Sequence, residues 1–357
     1  MNDRDSEALL GLFVEKGYAQ AKDEKSADVV LVNTCSVRAH AEDRALSFVG
    51  KFKKKKKKPL IGLIGCMAQN RGDEIFKKMP YIDLICGPAS FTEVPFYVEK
   101  IRNEKIRIID VEDKKRKEDF YGANLRLEKG HAQVVISTGC SNFCSYCVVP
   151  YVRGKLRLRR PEDIIDEVRR NVSLGIKKIT LLGQNVNDYN YKGKDGIVSF
   201  VDLLIEVEKI KEIEELDFIT SQPKNTSREL FTLMAKSSKI KKHLHLPFQS
   251  GSDRILDLMN RGYSRQEYLD LVSDYKKIVG GTLSTDVIVG FPTEMEDDFL
   301  KTKEVLEKVR FNYAYIFKYS PRMRAESTKL TDDVLKETKE RRHRILLDLQ
   351  RRISSES

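Results

Sequence analysis

The sequence predicts an α/β protein in two parts: a parallel sheet flanked by helices, then a partial (β/α)6 barrel. Three observations predict it. Short apolar runs of strand length recur, each followed by a loop and a stretch with helical spacing, and that alternation implies parallel strands with helices on their faces. A highly charged segment, residues 113–128, interrupts the alternation once and reads as a linker. Beyond it, about six strand–helix units occupy residues 129–332, whereas a closed eight-unit barrel usually takes more chain.

The first part spans residues 1–112. Leu9, Leu10 and Phe13 are spaced for a helix over residues 5–16. DVVLVNTC is a buried strand running into a loop, and AEDRALSFVG is a helix with acidic residues in its first turn, as the macrodipole favours. PLIGLIGC repeats the strand-to-loop pattern before the helix AQNRGDEIFKK, and IDLICG and KIRIIDV are further strands. Six consecutive lysines, Lys53 to Lys58, precede Pro59. Such a run repels itself and reads as a solvated loop or frayed helix end, with phosphate contact as the alternative.

In the second part the strands are AQVVIST, KKITLLGQN, ELDFIT, HLHLPFQSG, GTLSTDVIVGFP and NYAYIFKYS. Between them lie the helix PEDIIDEVRRNVSLG, with Pro161 in its first turn, helices near residues 200–210 and 228–235, two more after HLHLPFQSG, and EMEDDFLKTKEVLEKV. Residues 333–357 form a basic amphipathic helix with Ile345, Leu346 and Leu349 on one face, which requires a packing partner.

The 357 residues are 40% hydrophobic and 33% charged, with no apolar run long enough to span a bilayer. MNDRDSEALL is polar and acidic where a secretory signal is basic and then apolar, so a cytoplasmic location is expected. Six cysteines are too few for a disulfide scaffold, and clustered cytosolic cysteines more often bind metal or do redox chemistry. The net charge of +11 suits a polyanionic partner, or is merely a basic surface.

The stretch TGCSNFCSYCVVPYVRG places Cys140, Cys144 and Cys147 within eight residues, directly after the first barrel strand. Loops after strands form the face where such barrels do chemistry. Tetrahedral zinc needs a fourth ligand, and none is nearby in sequence. A [4Fe–4S] cube on three thiolates leaves one iron open to a small molecule. Gln184, Asn185 and Asn187 in LLGQNVNDY, and Gln249 and Ser250 in HLPFQSGS, sit at strand ends, where they serve turns or face the cavity. His243 and His245 alternate along one strand and share a side, as a metal pair or as part of the barrel wall. Cys35 and Cys66 each end a strand before a helix, the edge where open α/β sheets bind ligands; two independent buried cysteines are the alternative. Cys86 also ends a strand, and Arg153 in VPYVRG is either a cofactor or phosphate contact or a surface ion pair.

CxxxCxxC, with Tyr146 just before its last cysteine, resembles the radical S-adenosylmethionine (SAM) enzymes. The resemblance implies a [4Fe–4S] cluster on Cys140, Cys144 and Cys147, with SAM on the open iron and a 5′-deoxyadenosyl radical as its product. DVIVGFPTE is similar to that family's fifth-strand glycine segment, where Gly290 would let backbone approach the adenine, or else serve a strand-end turn. Tyr146, Gln184, Asn185, Gln249, Asp286 and Gly290 are therefore expected at the cofactor.

NTCSVRAHAEDRA, GCMAQ, CSNFCSYCVVPYVRG, LLGQNVNDY, HLHLPFQSGSDRIL and MNRGYSRQEYLDLV, in this order, resemble the methylthiotransferases, above all their MiaB-type tRNA branch, over essentially the whole chain. That family holds an auxiliary [4Fe–4S] cluster on three N-terminal cysteines; two map onto Cys35 and Cys66, and the third, with its strand, would precede residue 1. Cys86 is a candidate substitute. A C-terminal RNA-binding TRAM domain is expected to be absent, and YSPRMRAES lacks the family's Gly-Thr. The implied reaction is sulfur insertion and methylation at carbon 2 of N(6)-isopentenyladenosine beside the anticodon. Its implied partners are the tRNA anticodon stem-loop, an electron donor such as flavodoxin or ferredoxin, and a sulfur source. Alternatives are a sibling acting on threonylcarbamoyl-adenosine or a ribosomal-protein aspartate, and an RNA-binding form with little activity.

Overall fold

The computed structural model describes residues 1–36, 39–53, 58–112, 118–122, 128, 130–194 and 196–356. Lysines 54–57 and most of the charged linker therefore lie outside the described residues. The chain divides into two compact units, one of Met1–Lys129, Thr138–Cys140 and Val148–Leu156, the other of Gly130–Ser137, Ser141–Cys147 and Arg157–Ser357.

The first unit runs α1 (Asn2–Glu15), β1 (Val29–Thr34), α2 (Ala39–Gly50), β2 (Leu60–Gly65), α3 (Cys66–Lys78), β3 (Leu84–Cys86), α4 (Val94–Glu104) and β4 (Ile108–Asp110), with the short α5 (Val149–Val152). The four strands pair in parallel in the order β1-β2-β3-β4. Strand β2 reads LIGLIG and is buried almost throughout, as an interior parallel strand requires. Ile61, Leu63, Val49, Phe52, Met67 and Ile75 build the core around it. The sequence reading leaves α4 unassigned, although Val94, Val98 and Ile101 carry a helical period and are its buried face.

The transition from β2 to α3 is abrupt. Gly65 has φ 96°, and a Cβ there would lie 2.5 Å from the Asn33 side chain and 2.6 Å from the Thr34 carbonyl. Only glycine fits, and Cys66 is consequently delivered to the first turn of α3.

The second unit begins with β5 (His131–Val135), β6 (Ser137–Thr138), β7 (Arg157–Leu158), α6 (Pro161–Ser173) and β8 (Lys178–Leu182). A hairpin, β9 (Asn190–Gly193) and β10 (Gly196–Ser199), leads into α7 (Phe200–Glu208) and β11 (Glu215–Ile219). Then come α8 (Arg228–Lys236), β12 (His243–His245), α9 (Asp253–Leu258), α10 (Arg265–Ile278), β13 (Thr282–Val289), α11 (Glu296–Val309), β14 (Tyr313–Lys318) and α12 (Lys336–Ser355). Strands β5, β8 and β11 pair in parallel, as do β12, β13 and β14. A parallel bridge from Leu216 to Ile240 continues β11 toward β12. Six parallel strands thus follow one another in chain order, with β5 and β14 as the edges among the described residues. This is the expected partial barrel.

Capping boxes start α7 at Ser199 and Asp202 and α10 at Ser264 and Glu267. The barrel core joins Val134, Leu181, Leu216, Leu244 and Val287 from the strands to Val168, Leu203, Phe231 and Val305 from the helices. Residues 333–357, expected as a separate helix, belong to this same core: Leu346, Leu349 and Ile353 are buried in it, and Ile345 packs against it.

Candidate functional site

The cysteine loop follows β5 and β6. Gly139 takes φ 70°, and a Cβ on it would sit 2.3 Å from the Lys155 carbonyl. The next backbone N–H, of Cys140, donates to the Gly154 carbonyl at 3.1 Å. Further along, Phe143 is left-handed at φ 48°, and the Cys147 N–H closes a turn on the Cys144 carbonyl at 2.9 Å. None of the three is in a disulfide, and all three are partly exposed.

Within the second unit this loop is anchored at its centre. Ser145 donates its N–H to the Met259 carbonyl at 3.0 Å and its hydroxyl to the Leu258 carbonyl at 2.7 Å, and its own carbonyl accepts from the Ser327 N–H at 2.7 Å. The turn after α9 continues the grip. Asn260, at φ 55°, donates its side-chain amide to the Asn142 and Phe143 carbonyls at 3.2 and 3.0 Å. Arg261 is buried and reaches Cys144 Sγ and Tyr146 Oη with Nη1, both at 3.3 Å. Its other nitrogens donate to Tyr263 Oη at 3.2 Å and the Pro247 carbonyl at 3.0 Å. The ring of Tyr146 packs beside Ile255, Met259, Phe291 and Tyr319. Burial pushes its phenol well up, against the pull of Arg261. Sequence reasoning assigned no role to Arg261. The legible signal was MNRGYS: Asn and Gly tolerate left-handed backbone, so a chain reversal was encoded around that arginine.

A second feature lies at the carboxyl end of the barrel. Ser137 Oγ, Asn185 Oδ1, Ser221 Oγ and Gln249 Oε1 are buried and have no hydrogen-bond partner. They follow β5, β8, β11 and β12 respectively, one per strand. Buried polar atoms are nearly always paired, so four orphans at one barrel end mark a place for a polar ligand. Gln249 is also left-handed, at φ 66°, a conformation that for a non-glycine residue concentrates at functional sites. Its backbone is held by the Asp286 carbonyl at 2.9 Å and the Ile288 N–H at 3.0 Å. The Asn185 amide donates to Gln222 Oε1 at 3.2 Å, while Asn187 is spent on the Gln222 carbonyl and Thr226. Gln184 is half-buried beside them.

The remaining expected residues divide. Asp286 faces His245, with 3.4 Å from Oδ2 to Nε2. His243 and His245 are occupied by the hydroxyls of Thr282 and Ser284 at 2.7 to 3.0 Å, a strand-to-strand role on the wall. Gly290 serves the strand-end turn that was one of its two expected roles. Its φ is 69°, its N–H donates to Glu294 Oε2 at 2.7 Å, and the space a Cβ would need is taken by Lys339 Cγ at 2.3 Å. The glycine serves a turn and the docking of α12.

In the first unit, Cys35 and Cys66 follow β1 and β2, whose last residues, Thr34 and Gly65, are paired in register. The two cysteines therefore share one sheet edge. Cys86 pairs with Ile64, two register rows earlier, and is fully buried with its thiol on the Gly87 carbonyl. Arg153 was expected at a cofactor, a phosphate or the surface. Its side chain is buried rather than at the surface: Nε donates to Cys66 Sγ at 3.2 Å, and Nη2 donates to Asn2 Oδ1 at 2.8 Å and Asp5 Oδ2 at 2.9 Å. Burial pushes the Cys66 thiol up, and Arg153 opposes that rise.

These donor sets can be tested against an iron–sulfur cluster. Among the described residues no three His, Cys, Asp or Glu side chains converge as a single ion requires. A cube binds each thiolate through a different iron, so three thiolates of one loop need not converge on a single point. An N–H donor on Cys144 Sγ is what a bound thiolate accepts. The loop therefore fits a cluster. The first unit presents two thiols at its edge, one short of the three that the resemblance implies.

Comparison with known proteins agrees with this geometry. Residues 134–306 match the family model described as the radical SAM superfamily, and residues 1–87 match one described as uncharacterized protein family UPF0004. The chain is 42% identical over 355 residues to the tRNA-2-methylthio-N(6)-dimethylallyladenosine synthase of Syntrophus aciditrophicus, covering 98% of this chain and 77% of that protein. It is 43% identical over 365 residues to the synthase of the same name from Acetivibrio thermocellus, covering 100% and 75%. Its fold is similar to that of the cobalamin-dependent S-adenosylmethionine radical enzyme OxsB, with TM-score 0.54 and 12% identity over 89% of this chain and 48% of that one.

Proposed function

Because the chain belongs to the tRNA-2-methylthio-N(6)-dimethylallyladenosine synthases, a radical SAM family, we propose that it inserts sulfur at carbon 2 of N(6)-isopentenyladenosine beside the anticodon of tRNA and methylates it. The observation that carries this reading is the 42% identity along 98% of this chain, which runs through both units. The chemistry fits the need. An aromatic C–H at that carbon is not acidic near neutral pH, so a positioned base alone could not remove its proton. A reduced [4Fe–4S] cluster with SAM supplies, when bound, one-electron cleavage of the sulfonium and a carbon radical able to take a hydrogen atom.

Cys140, Cys144 and Cys147 would hold that cluster. Ser145 and Asn260 keep the loop carbonyls and turns in place, so the thiols are preorganised before loading. The orphaned oxygens of Ser137, Asn185, Ser221 and Gln249 would accept from the amino and hydroxyl groups of SAM, and Tyr146, Gln184 and Asp286 lie in the same unit to complete the site. Cys35 and Cys66 would be two ligands of an auxiliary cluster; with two thiols at that edge, no step is assigned to it. The partners are the anticodon stem-loop, a one-electron donor and a sulfur source, in the cytoplasm. The net charge of +11 suits the RNA.

Two measurements test the reading. Anaerobically reconstituted protein should cleave SAM under a strong reductant, and a Cys144→Ala variant should not. Mass spectrometry of tRNA nucleosides from cells with and without the protein should show the 2-methylthio product only in the former. Unchanged nucleosides would refute the assignment.

A further inference from the structure

Arg261 is a buried cation of the second unit to which the proposed reaction assigns no role. Its guanidinium is buried, and each of its three nitrogens has an acceptor: Tyr263 Oη, the Pro247 carbonyl, and the pair of Cys144 Sγ and Tyr146 Oη. Three independent anchors fix a planar cation in one orientation, with Nη1 aimed at a sulfur. The turn that supplies it, Met259 to Gly262, also binds the loop backbone through the Met259 carbonyl and the Asn260 amide. Position of the sulfur and position of the charge are thus set by the same four residues.

A fixed cation in a low-dielectric site favours added negative charge nearby. Hydrogen bonds to the sulfurs, net charge and burial are the levers that set an iron–sulfur potential. We infer that Arg261 is a positioning residue for the cluster proposed above: it holds Cys144 and makes one-electron reduction of that cluster more favourable. The inference rests on the reading that Cys144 is a cluster ligand. The electron comes from an external one-electron reductant, and Arg261 itself neither gains nor loses a proton. Lysine cannot replace it fully, since an ammonium on a flexible stem has no planar fork to reach Tyr263, Pro247 and Cys144 together.

The test is a redox titration of the full chain after anaerobic reconstitution, followed by electron paramagnetic resonance of the reduced signal that added SAM perturbs. Removing the charge with Arg261→Gln should shift the reduction equilibrium at least about tenfold toward the oxidised form, about 59 mV for one electron. Arg261→Lys should fall between Gln and wild type. A Gln variant that loads its cluster and titrates with wild type overturns the inference while leaving the proposed function intact. A wild-type protein without a SAM-sensitive signal would instead sink the reading beneath it. If neither variant loads, wild type grown with ¹⁵N-arginine decides: the reduced signal should carry a weak ¹⁵N hyperfine coupling, and its absence overturns the inference.

Discussion

Glu294 makes stability depend on pH in a direction opposite to an ordinary surface carboxylate. It lies just beyond β13, with a side chain sealed from solvent, and Oε2 accepts from the Gly290 N–H and from Arg342 Nη1, both at 2.7 Å. Oε1 has no partner. Burial pushes the carboxyl up from 4.5 to about 7, against the pull of Gly290 and Arg342. The folded chain therefore holds this proton more tightly than the unfolded chain. Its contribution is fully present below pH 4.5 and is lost as pH rises through 7. Raising the carboxyl from 4.5 to about 7 corresponds to about 3 kcal/mol lost between pH 4.5 and 8, most of it between 5 and 7. Glu294→Gln removes the titration and keeps the shape. The difference between wild type and variant isolates the effect, because His243, whose folded value is lowered by burial and which strengthens folding as pH rises, cancels between them. The assay is anaerobic urea unfolding, followed by tyrosine fluorescence at four pH values from 5 to 8. The variant should gain on wild type steadily as pH rises. A difference that stays flat would mean that Arg342 keeps the carboxylate ionised throughout, and the reasoning would fail.

Other perturbations probe separate features. Gln249→Ala deletes an orphaned acceptor at a strained backbone position, and should weaken SAM binding by about tenfold in equilibrium dialysis while leaving iron content unchanged. Leu346→Ala opens a cavity where α12 enters the barrel core, and should lower unfolding free energy by about 2–5 kcal/mol in urea titration. Arg153→Met leaves Asp5 buried without its cation, and should destabilise the first unit by about 3–5 kcal/mol, read as early hydrogen exchange in β1 and β2.

Local signals carried most of the architecture. Strand-length apolar runs and helical spacing placed ten parallel strands in two series, because both periodicities are written into neighbouring residues. The spacing of Cys140, Cys144 and Cys147 needed no fold to be read, since one loop holds all three. α4 escaped because its period is short and its neighbours Phe96 and Tyr97 blur the apolar face. Packing between distant segments settled the rest. Arg261 reaches Cys144 across 117 positions of chain, and Arg153 reaches Asp5 across 148. Nothing in either neighbourhood names the other. Gly290 is held to glycine by its left-handed turn and by Lys339 of α12 packed against it, and Gln249 Oε1 is left without a donor only because the backbone around it is fixed by Asp286 and Ile288 from another strand. Residue type and spacing carry chemistry that acts within a turn or a loop, whereas charge pairing, orphaned atoms and steric exclusion arise only once segments far apart in the chain are pressed together.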